Sequence, residues 1–223
     1  MRNSGTRFLA SSLLLLSLRV QHFVGGCSCS PAHLQQAFCS ADIVIRAKIS
    51  GKKLISENNG ESFDVYNDLI RYEVKQIKMF KGFERKKTVQ FVYTAPTSAA
   101  CGVTLNTTSK VQYLLTGHLG SDGRVQVGLC NYILPWEELT LSQRKNLNHR
   151  YQMGCDCRIS TCYTLPCSVS AENDCLWTDR LTDKTLNGPQ AKYFSCIKRS
   201  DGSCSWYRGG SPPEKEFMDI SEP

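Results

Sequence analysis

The stretch "DIVIRAKI", residues 42 to 49, decides the fold of this chain. Its β-branched residues and its partial alternation of apolar with polar side chains predict a half-buried β-strand. Comparable runs lie at residues 69–80, 88–95, 112–117 and 124–130, so the sequence predicts five strands. Because closure removes the exposed edges of a sheet, five such strands favour an OB-like barrel. The predicted fold class is therefore mostly β with flanking helices.

Two helices are predicted beside these strands. The run "LQQAFC", residues 34–39, follows Pro31 and is typical of a short helix. Thr140 and Gln143 have the spacing of a capping box, and the helical pattern after them continues to Gly154. This second helix is expected to close the first part of the chain.

The sequence also predicts the loops and turns that connect the strands. Residues 50–68 are polar and predict a long excursion between the first two strands. Asp122-Gly123 lies between the fourth and fifth strands and is typical of a hairpin turn. A second pair, Asp201-Gly202, predicts a turn between short strands within "KYFSCIKRSDGSCSWYRG".

The twelve cysteines divide the chain into two parts. Five lie in residues 27–154 and seven in residues 155–223, which lack an apolar run long enough for a core of their own. An even number of cysteines in a secreted chain predicts six disulfides. A metal-thiolate cluster is the alternative, and the absence of Cys-x-x-Cys pairs disfavours it. We expect a barrel domain over residues 27–154 and a small disulfide-rich β domain over residues 155–223.

Residues 1–26 have the pattern of a secretory signal peptide. Two arginines accompany an apolar run, residues 8–18, that is too short to span a bilayer. Cleavage before Cys27 would follow Val24 and Gly26, which suit the positions that the peptidase reads. The alternative is cleavage one or two residues earlier, which leaves a glycine before Cys27. We expect a protein secreted to the extracellular space and matrix.

The net charge is mild once the signal peptide is removed. The formal charge of +7 includes three signal arginines, so residues 27–223 carry 24 basic and 20 acidic residues. A basic stretch interleaved with aromatic residues consists of Lys75, Lys78, Lys81, Arg85, Lys86 and Lys87. Secretion argues against nucleic acid as a partner, which leaves a sulfated polysaccharide contact or a solvated face.

No catalytic pattern stands out in the sequence. The mature chain has three scattered histidines, His33, His118 and His149, and lacks HExxH, GxSxG and P-loop motifs. The even number of cysteines also argues against an unpaired thiol nucleophile. We expect neither an enzyme nor a cofactor of its own.

The Cys-x-Cys sequence at the mature terminus suggests a different chemistry. A terminal residue offers its α-amine and its carbonyl oxygen, which together close a five-membered chelate around a metal ion. The amine has a reference pKa of about 7.7–8.0, so zinc displaces its proton easily. A catalytic zinc keeps a water in its open position, which such a chelate can replace. Disulfides at Cys27 and Cys29 would hold this terminus rigid, with Ser28 projecting outward.

These features resemble the tissue inhibitor of metalloproteinases family across the whole mature chain. The resemblance is carried by the segments "CSCSPAHLQQAFCSADIVIRAKISGKK", "YEVKQIKMFKGFE", "LTLSQRKNLNHRYQMGC", "DCLWTD" and "CSWYRG". It implies an OB-like, netrin-type inhibitory domain over residues 27–154 and secreted inhibition of matrix metalloproteinases and related metzincins. It also implies that the amine and carbonyl of Cys27 bind the catalytic zinc of the target protease.

The resemblance further implies where the protease makes contact. Ser28 would enter the pocket just past the scissile position, with its hydroxyl near the catalytic glutamate of the enzyme. The segment before Cys101 would lie beside the terminus in the cleft, and the loop with Tyr66 would reach the rim. The implied contact residues are Cys27, Ser28, Cys29, Ser30, Pro31, Tyr66, Thr97, Ser98, Ala99, Ala100 and Cys101. The implied disulfides are Cys27–Cys101, Cys29–Cys130, Cys39–Cys155, Cys157–Cys204, Cys162–Cys167 and Cys175–Cys196.

Three expectations concern other partners and modifications. The sequon Asn106-Thr107-Thr108 predicts a glycosylation site and departs from the paralogue that the chain otherwise resembles most. The acidic tail "PPEKEFMDISEP" is either a disordered end or, as the family implies, a docking element for the propeller domain of a progelatinase. The alternative function is a netrin-type module that binds matrix or a cell-surface receptor without inhibiting proteases. We expect a monomer.

Overall fold

The computed structural model describes residues 26–56, 68–108 and 110–209. Residues 1–25 of the predicted signal peptide, the loop with Tyr66 and the acidic tail lie outside the described residues. Within the described ranges, no helix is long and apolar enough to cross a membrane.

Five strands close into a ring. They are β1 (Ile43–Ile55), β2 (Leu69–Lys81), β3 (Phe91–Thr94), β4 (Gln112–Leu119) and β5 (Val125–Gln126). The order around the ring is β1-β2-β3-β5-β4, and β4 pairs back with β1. Neighbouring strands are antiparallel except β3 and β5, which pair in parallel at Tyr93 and Gln126. The predicted five-stranded closed sheet is confirmed.

The side chains of β1 serve two cores. Ile45, Ala47 and Ile49 are buried in the core inside the barrel. Val44, the residue before Ile45, is equally buried in a second core that includes Phe38 of the first helix. Each fully buried valine or isoleucine side chain stabilises the fold by about 1.5–3 kcal/mol relative to its exposed state. The quoted stretch therefore joins the barrel to the helices that cover it.

The predicted helix at residues 34–39 is present as α1 (Leu34–Ser40). His33 is its N-cap, because its Nδ1 accepts a hydrogen bond from the amide of Gln35 at 3.1 Å. The side chain of Gln36 completes a capping box by accepting from the amide of His33 at 2.9 Å. The sequence predicted the helix but did not identify a histidine as its cap, since histidine is not among the preferred capping residues.

The predicted closing helix is in fact two short helices, α2 (Leu141–Asn146) and α3 (Arg150–Met153). The capping box of Thr140 and Gln143 is confirmed, and α3 ends at Gly154 as predicted. The prediction of one continuous helix is wrong. The side-chain amide of Asn148 donates to the carbonyl oxygen of Arg144 at 3.0 Å, and such side-chain bonds compete with helix continuation.

The first strand is longer than predicted. β1 continues to Ile55, where it pairs with Leu69 of β2. The polar excursion predicted to begin at residue 50 is therefore wrong for residues 50–55. Pairing with β2 satisfies the backbone polar groups of this segment even though its side chains are mostly polar.

The fifth strand is shorter than predicted. Of the predicted residues 124–130, only Val125 and Gln126 form β5. The amide of Leu129 instead donates to the carbonyl oxygen of Cys101 at 2.8 Å. An additional strand that was not predicted, β6 (Ile133–Pro135), pairs with β4 outside the ring.

The remaining described residues form a small unit with its own core. Its elements are β7 (Arg158–Thr161), β8 (Asp174–Trp177), α4 (Asp179–Thr182), α5 (Pro189–Tyr193), β9 (Ser195–Lys198) and β10 (Cys204–Tyr207). β7 pairs with β8 in parallel, and β9 pairs with β10 as an antiparallel hairpin. The predicted turn is at Gly202, whose φ of 89° favours glycine. The core is small and contains Trp177 and the disulfide of Cys175 with Cys196.

All twelve cysteines lie within the described residues and none is free. They form the pairs Cys27–Cys101, Cys29–Cys130, Cys39–Cys155, Cys157–Cys204, Cys162–Cys167 and Cys175–Cys196. These are the pairs that the family resemblance implies. Two groups of cysteine sulfurs lie close enough together to hold a metal, but disulfide bonding leaves them without thiolates.

Helix α1 connects the barrel to the C-terminal unit. The Gln35 side chain donates to the carbonyl oxygen of Cys196 at 2.6 Å and accepts from its amide at 2.8 Å. The side chain of Gln36 donates to the carbonyl oxygen of Ile159 at 2.7 Å. Gly154 lies so close to the Cys196 carbonyl that any Cβ there would overlap it. The domain boundary between residues 154 and 155 stays a prediction, and it falls where the two units are packed together.

Candidate functional site

The N-terminal segment, residues 27–31, lies on the surface of the barrel. Cys27 is partly buried, whereas Ser28, Cys29, Ser30 and Pro31 are exposed. Among the residues that the structure describes, no atom lies within 4 Å of the position that a Cβ would occupy at Gly26. The segment is thus accessible along its length.

Two disulfides fix this segment to two different loops. Cys27 is bonded to Cys101 and Cys29 to Cys130, each with a Cα–Cα distance of 5.1 Å. The Sγ atoms of Cys27 and Cys130 are 4.0 Å apart, so the two disulfides lie against each other. Ser28 is the residue between the two anchors. Its backbone is therefore held at both ends while its side chain is exposed.

The loop that receives Cys27 is itself ordered by local hydrogen bonds. Residues Ser98–Ala100 form one turn of 3-10 helix, capped by the Thr97 hydroxyl, which accepts from the amide of Ala100 at 3.3 Å. The amide of Gly102 donates to the carbonyl oxygen of Thr97 at 2.8 Å. Cys101 has a positive φ of 64°, an uncommon conformation for a residue with a side chain. We call residues 97–101 the ridge.

A second loop, residues 128–131, lies beside the ridge. The amide of Leu129 donates to the carbonyl oxygen of Cys101, and the Asn131 side chain accepts from the amide of Gly128 at 2.8 Å. Leu129 is 48% exposed, which is high for a leucine in an ordered loop. The sequence did not single out Leu129, and its only signal was the neighbouring cysteine, Cys130.

The structure brings together most of the predicted contact residues. Residues 27–31 and the ridge are joined directly through Cys27–Cys101, and residues 128–131 are joined through Cys29–Cys130. Tyr66 lies outside the described residues, so its position relative to the terminus stays a prediction. Asn106 lies in the exposed loop that follows the ridge.

The segment is mounted on α1, whose first turn is buried against the C-terminal unit. The His33 ring is 1% exposed and lies 5.3 Å, centroid to centroid, from both Trp177 and Trp206. Its Nε2 is 3.3 Å from the carbonyl oxygen of Gln190. Burial lowers the pKa of His33 from 6.5 to about 4. His33 is therefore a neutral structural residue at neutral pH and not an exposed metal ligand.

The sequence comparisons identify the family. Residues 25–206 match the model of the tissue inhibitor of metalloproteinase family. The chain belongs to this family. Human metalloproteinase inhibitor 2 is 52% identical to it over 218 residues, which cover 96% of each protein, and the rat protein is 51% identical over the same length. Mouse metalloproteinase inhibitor 4 is 54% identical over 197 residues, 88% of this chain and 87% of the relative.

The chain is similar to two paralogues of the family. From the sequence, "FVYTAPTSAACGV" and "LNHRYQMGC" most resemble the second paralogue, and "LIRYEVKQIKMFKGFE" is nearer the fourth. Similar identities to metalloproteinase inhibitors 2 and 4 confirm that both paralogues are close. Membership of the family supports an inhibitor of metalloproteinases rather than an enzyme.

Proposed function

We propose that this protein is secreted and inhibits zinc metalloendopeptidases by chelating their catalytic zinc with the amine and carbonyl oxygen of Cys27. The observation that carries the proposal is the double anchoring of the exposed terminus. Cys27 and Cys29 are each bonded to an ordered loop, and Ser28 is exposed between them. The similarity to proteins named metalloproteinase inhibitors supports the same conclusion.

The anchoring explains how a terminus can bind tightly. A free chain end loses conformational entropy when it is immobilised, and this loss weakens binding. Here the two disulfides order the segment before the protease arrives. The neutral amine and the carbonyl oxygen of Cys27 then replace the water at the open zinc position, so the protease loses its nucleophile.

Ser28 and the ridge complete the proposed contact. Ser28 would enter the specificity pocket beyond the zinc, with its hydroxyl near the catalytic glutamate. Ser30, Pro31 and the ridge would lie along the cleft, and Tyr66 at its rim.

The Ser28→Arg variant should lose inhibition unequally among proteases, because an unpaired buried charge costs several kcal/mol. Equal inhibition constants for this variant and the wild type across a panel would contradict this placement.

The experiment that tests the proposed function uses the terminus itself. Intact mass of the secreted protein shows whether it begins at Cys27. A matched form with one alanine added before Cys27 should lose inhibition of matrix metalloproteinases and related metzincins by at least about a thousandfold, a loss of about 4 kcal/mol of binding free energy. Undiminished inhibition by the extended, correctly disulfide-bonded protein would contradict chelation. Absence of inhibition by the protein that begins at Cys27 would instead favour the binding-module alternative.

The acidic tail provides a second proposed contact. Glu214, Glu216, Asp219 and Glu222 surround Phe217, Met218 and Ile220 in the sequence. We propose, from the family resemblance, that this tail docks on the propeller domain of a progelatinase. The terminus would then remain available to inhibit a different protease.

A sulfated polysaccharide is the second candidate partner, and the strand register favours it. Three cation pairs face each other across β1 and β2: Arg46 with Lys78, Lys48 with Lys75, and Lys53 with Arg71. We call these six residues the cation ladder. Like charges directly opposite on a sheet are destabilising, and a bound polyanion would relieve that repulsion. The ladder therefore suits a linear sulfated chain.

The structure divides the basic stretch that the sequence suggested. Lys81 donates to the carbonyl oxygens of Phe38 and Cys39 at 3.0 and 2.6 Å, so it holds α1 in place. Arg85 forms an ion pair with Asp42 at 2.8 Å. Within the predicted stretch, Lys75 and Lys78 belong to the cation ladder.

A further inference from the structure

We propose that Asn106 carries an N-linked oligosaccharide that restricts which metalloproteinases reach the inhibitory terminus. This inference rests on the proposed function, including secretion. It identifies a modification site and assigns it a role in protease selectivity.

The geometry of the sequon suits modification. Asn106 and Thr108 are both exposed in the loop between the ridge and β4. The amide and the hydroxyl of Thr108 both donate to Oδ1 of Asn106, at 2.9 and 3.0 Å. These two bonds hold the side chain by its oxygen and fix the conformation of the sequon at the surface.

The reaction is an oligosaccharide transfer to the amide nitrogen. Nδ2 of Asn106 forms a bond to the anomeric carbon of an oligosaccharide linked to a lipid diphosphate. The bond between that carbon and the diphosphate oxygen breaks, and the lipid diphosphate leaves with the electron pair. One amide proton passes to a base. The co-reactant belongs to the secretory pathway, which the proposed function requires the chain to enter.

The base of the loop is fixed to the barrel. The hydroxyl of Tyr72, whose side chain is fully buried, donates to the carbonyl oxygen of Val103 at 3.3 Å and accepts from the amide of Leu105 at 3.1 Å. Leu105 itself is 5% exposed and belongs to the barrel core. Asn106 is therefore the first residue beyond a rigid attachment, and a sugar on it has a defined starting point.

A groove leads from this point to the ridge. The groove has a volume of about 480 Å³. Thr97 and Ser98 of the ridge line one part of it, and Thr104 and Leu105 line another. Because Asn106 directly follows Leu105, a glycan on Asn106 begins at the rim of the groove. It would occupy space beside the same ridge that is proposed to enter the protease cleft.

The consequence is steric selection. A glycan beside the ridge excludes volume that the additional domains of a full-length protease need when the terminus reaches its zinc. An isolated catalytic domain lacks those domains and needs less of that volume. The glycan should lower the association rate for the first group and leave the second nearly unchanged, because steric restriction acts on productive encounter.

The test compares four forms of the full-length chain secreted from eukaryotic cells. Asn106→Gln and Thr108→Ala each remove the sequon, whereas Thr107→Ala changes the loop but preserves it. Intact mass should show an oligosaccharide on the wild type and on Thr107→Ala, and its absence from the other two. Association rates and inhibition constants are then measured against full-length metalloproteinases and their isolated catalytic domains.

We expect the two variants without the sequon to gain about tenfold in inhibition of at least one full-length protease and less than about threefold for the isolated catalytic domains. Thr107→Ala should match the wild type. An unmodified Asn106 in the wild type, or the same inhibition profile with and without the glycan, would overturn the inference while leaving the proposed function intact. Failure of all four forms to inhibit would instead refute the proposed function.

Discussion

At the scale of single residues, His33 links the position of the terminus to pH. Its Nδ1 accepts the amide hydrogen of Gln35, so the ring proton is on Nε2, which faces the carbonyl oxygen of Gln190. The surroundings are Trp177, Trp206 and Tyr151, with Asp179 as the nearby charge. Protonation of Nδ1 would break the cap of α1 and place a charge among aromatic rings.

This arrangement predicts a loss of stability in mild acid. The pKa of His33 is about 4 in the folded protein and about 6.5 when unfolded, so the unfolded chain binds more protons between these values. The contribution of neutral His33 is fully present above pH 6.5 and is lost as the pH falls towards 4. We expect a decrease of up to about 3 kcal/mol in the free energy of unfolding, to order of magnitude.

Denaturant unfolding at several pH values checks this prediction. The control is His33→Asn, which can still cap α1 through its side-chain oxygen but does not titrate. The variant should lack most of the pH dependence between 6.5 and 4. Hydrogen bonds lower the pKa values of Asp42 and Asp174 below the usual range. These two carboxyl groups therefore change the free energy of unfolding at lower pH than His33 does. The same pH slope in both proteins would show that His33 is not the titrating group.

At the scale of elements, the cation ladder on β1 and β2 gives a prediction for the polysaccharide candidate. Lys48→Gln with Lys75→Gln removes one complete pair and should weaken binding to immobilised heparin and flatten its salt dependence, since exposed charges are screened by salt. Lys184→Gln, on the C-terminal unit, is a control with the same charge change as either single variant, Lys48→Gln or Lys75→Gln. If Lys184→Gln and either single ladder variant elute at the same salt concentration, the ladder is a solvated face and not a binding site.

The elements also show what the sequence could predict. The alternation in residues 42–49, the Asp-Gly turns and the capping box of Thr140 are local signals, and they predicted the barrel strands and helix starts correctly. The ends of β1 and β5 depend on partners distant in sequence: Leu69 for the first and Cys101 for the second. Local patterns carry no information about such partners, so these boundaries were wrong.

In the candidate site, too, local features could be predicted from the sequence and contacts between distant residues could not. The terminal Cys-x-Cys sequence suggested a rigid chelating terminus, because its chemistry is local. The disulfide partners came from the family resemblance and not from spacing. Leu129 and the link from His33 to Trp177 were missed, since only the folded chain brings them to the terminus.

At the scale of the whole molecule, we expect the two ends of the chain to have separable functions. The acidic tail should speed association with the progelatinase through charge attraction, which salt screens. Truncation after Gly210 should slow that association and flatten its salt dependence, while inhibition of an isolated catalytic domain is unchanged. Stopped-flow association rates at low and high salt check this. Identical association rates and identical salt dependences for the intact and truncated proteins would favour the alternative that the tail is a disordered end.

The proposed inhibition requires that the amine and carbonyl oxygen of Cys27 become ligands of the protease zinc. The most direct measurement replaces that zinc with Co²⁺ in an isolated catalytic domain and records the visible absorption spectrum as the inhibitor binds. The spectrum depends on the number, type and geometry of the ligands. The protein with a free Cys27 amine should change the spectrum at a one-to-one ratio, and its acetylated form should not. An inhibitory complex with an unchanged cobalt spectrum would contradict chelation of the zinc by Cys27.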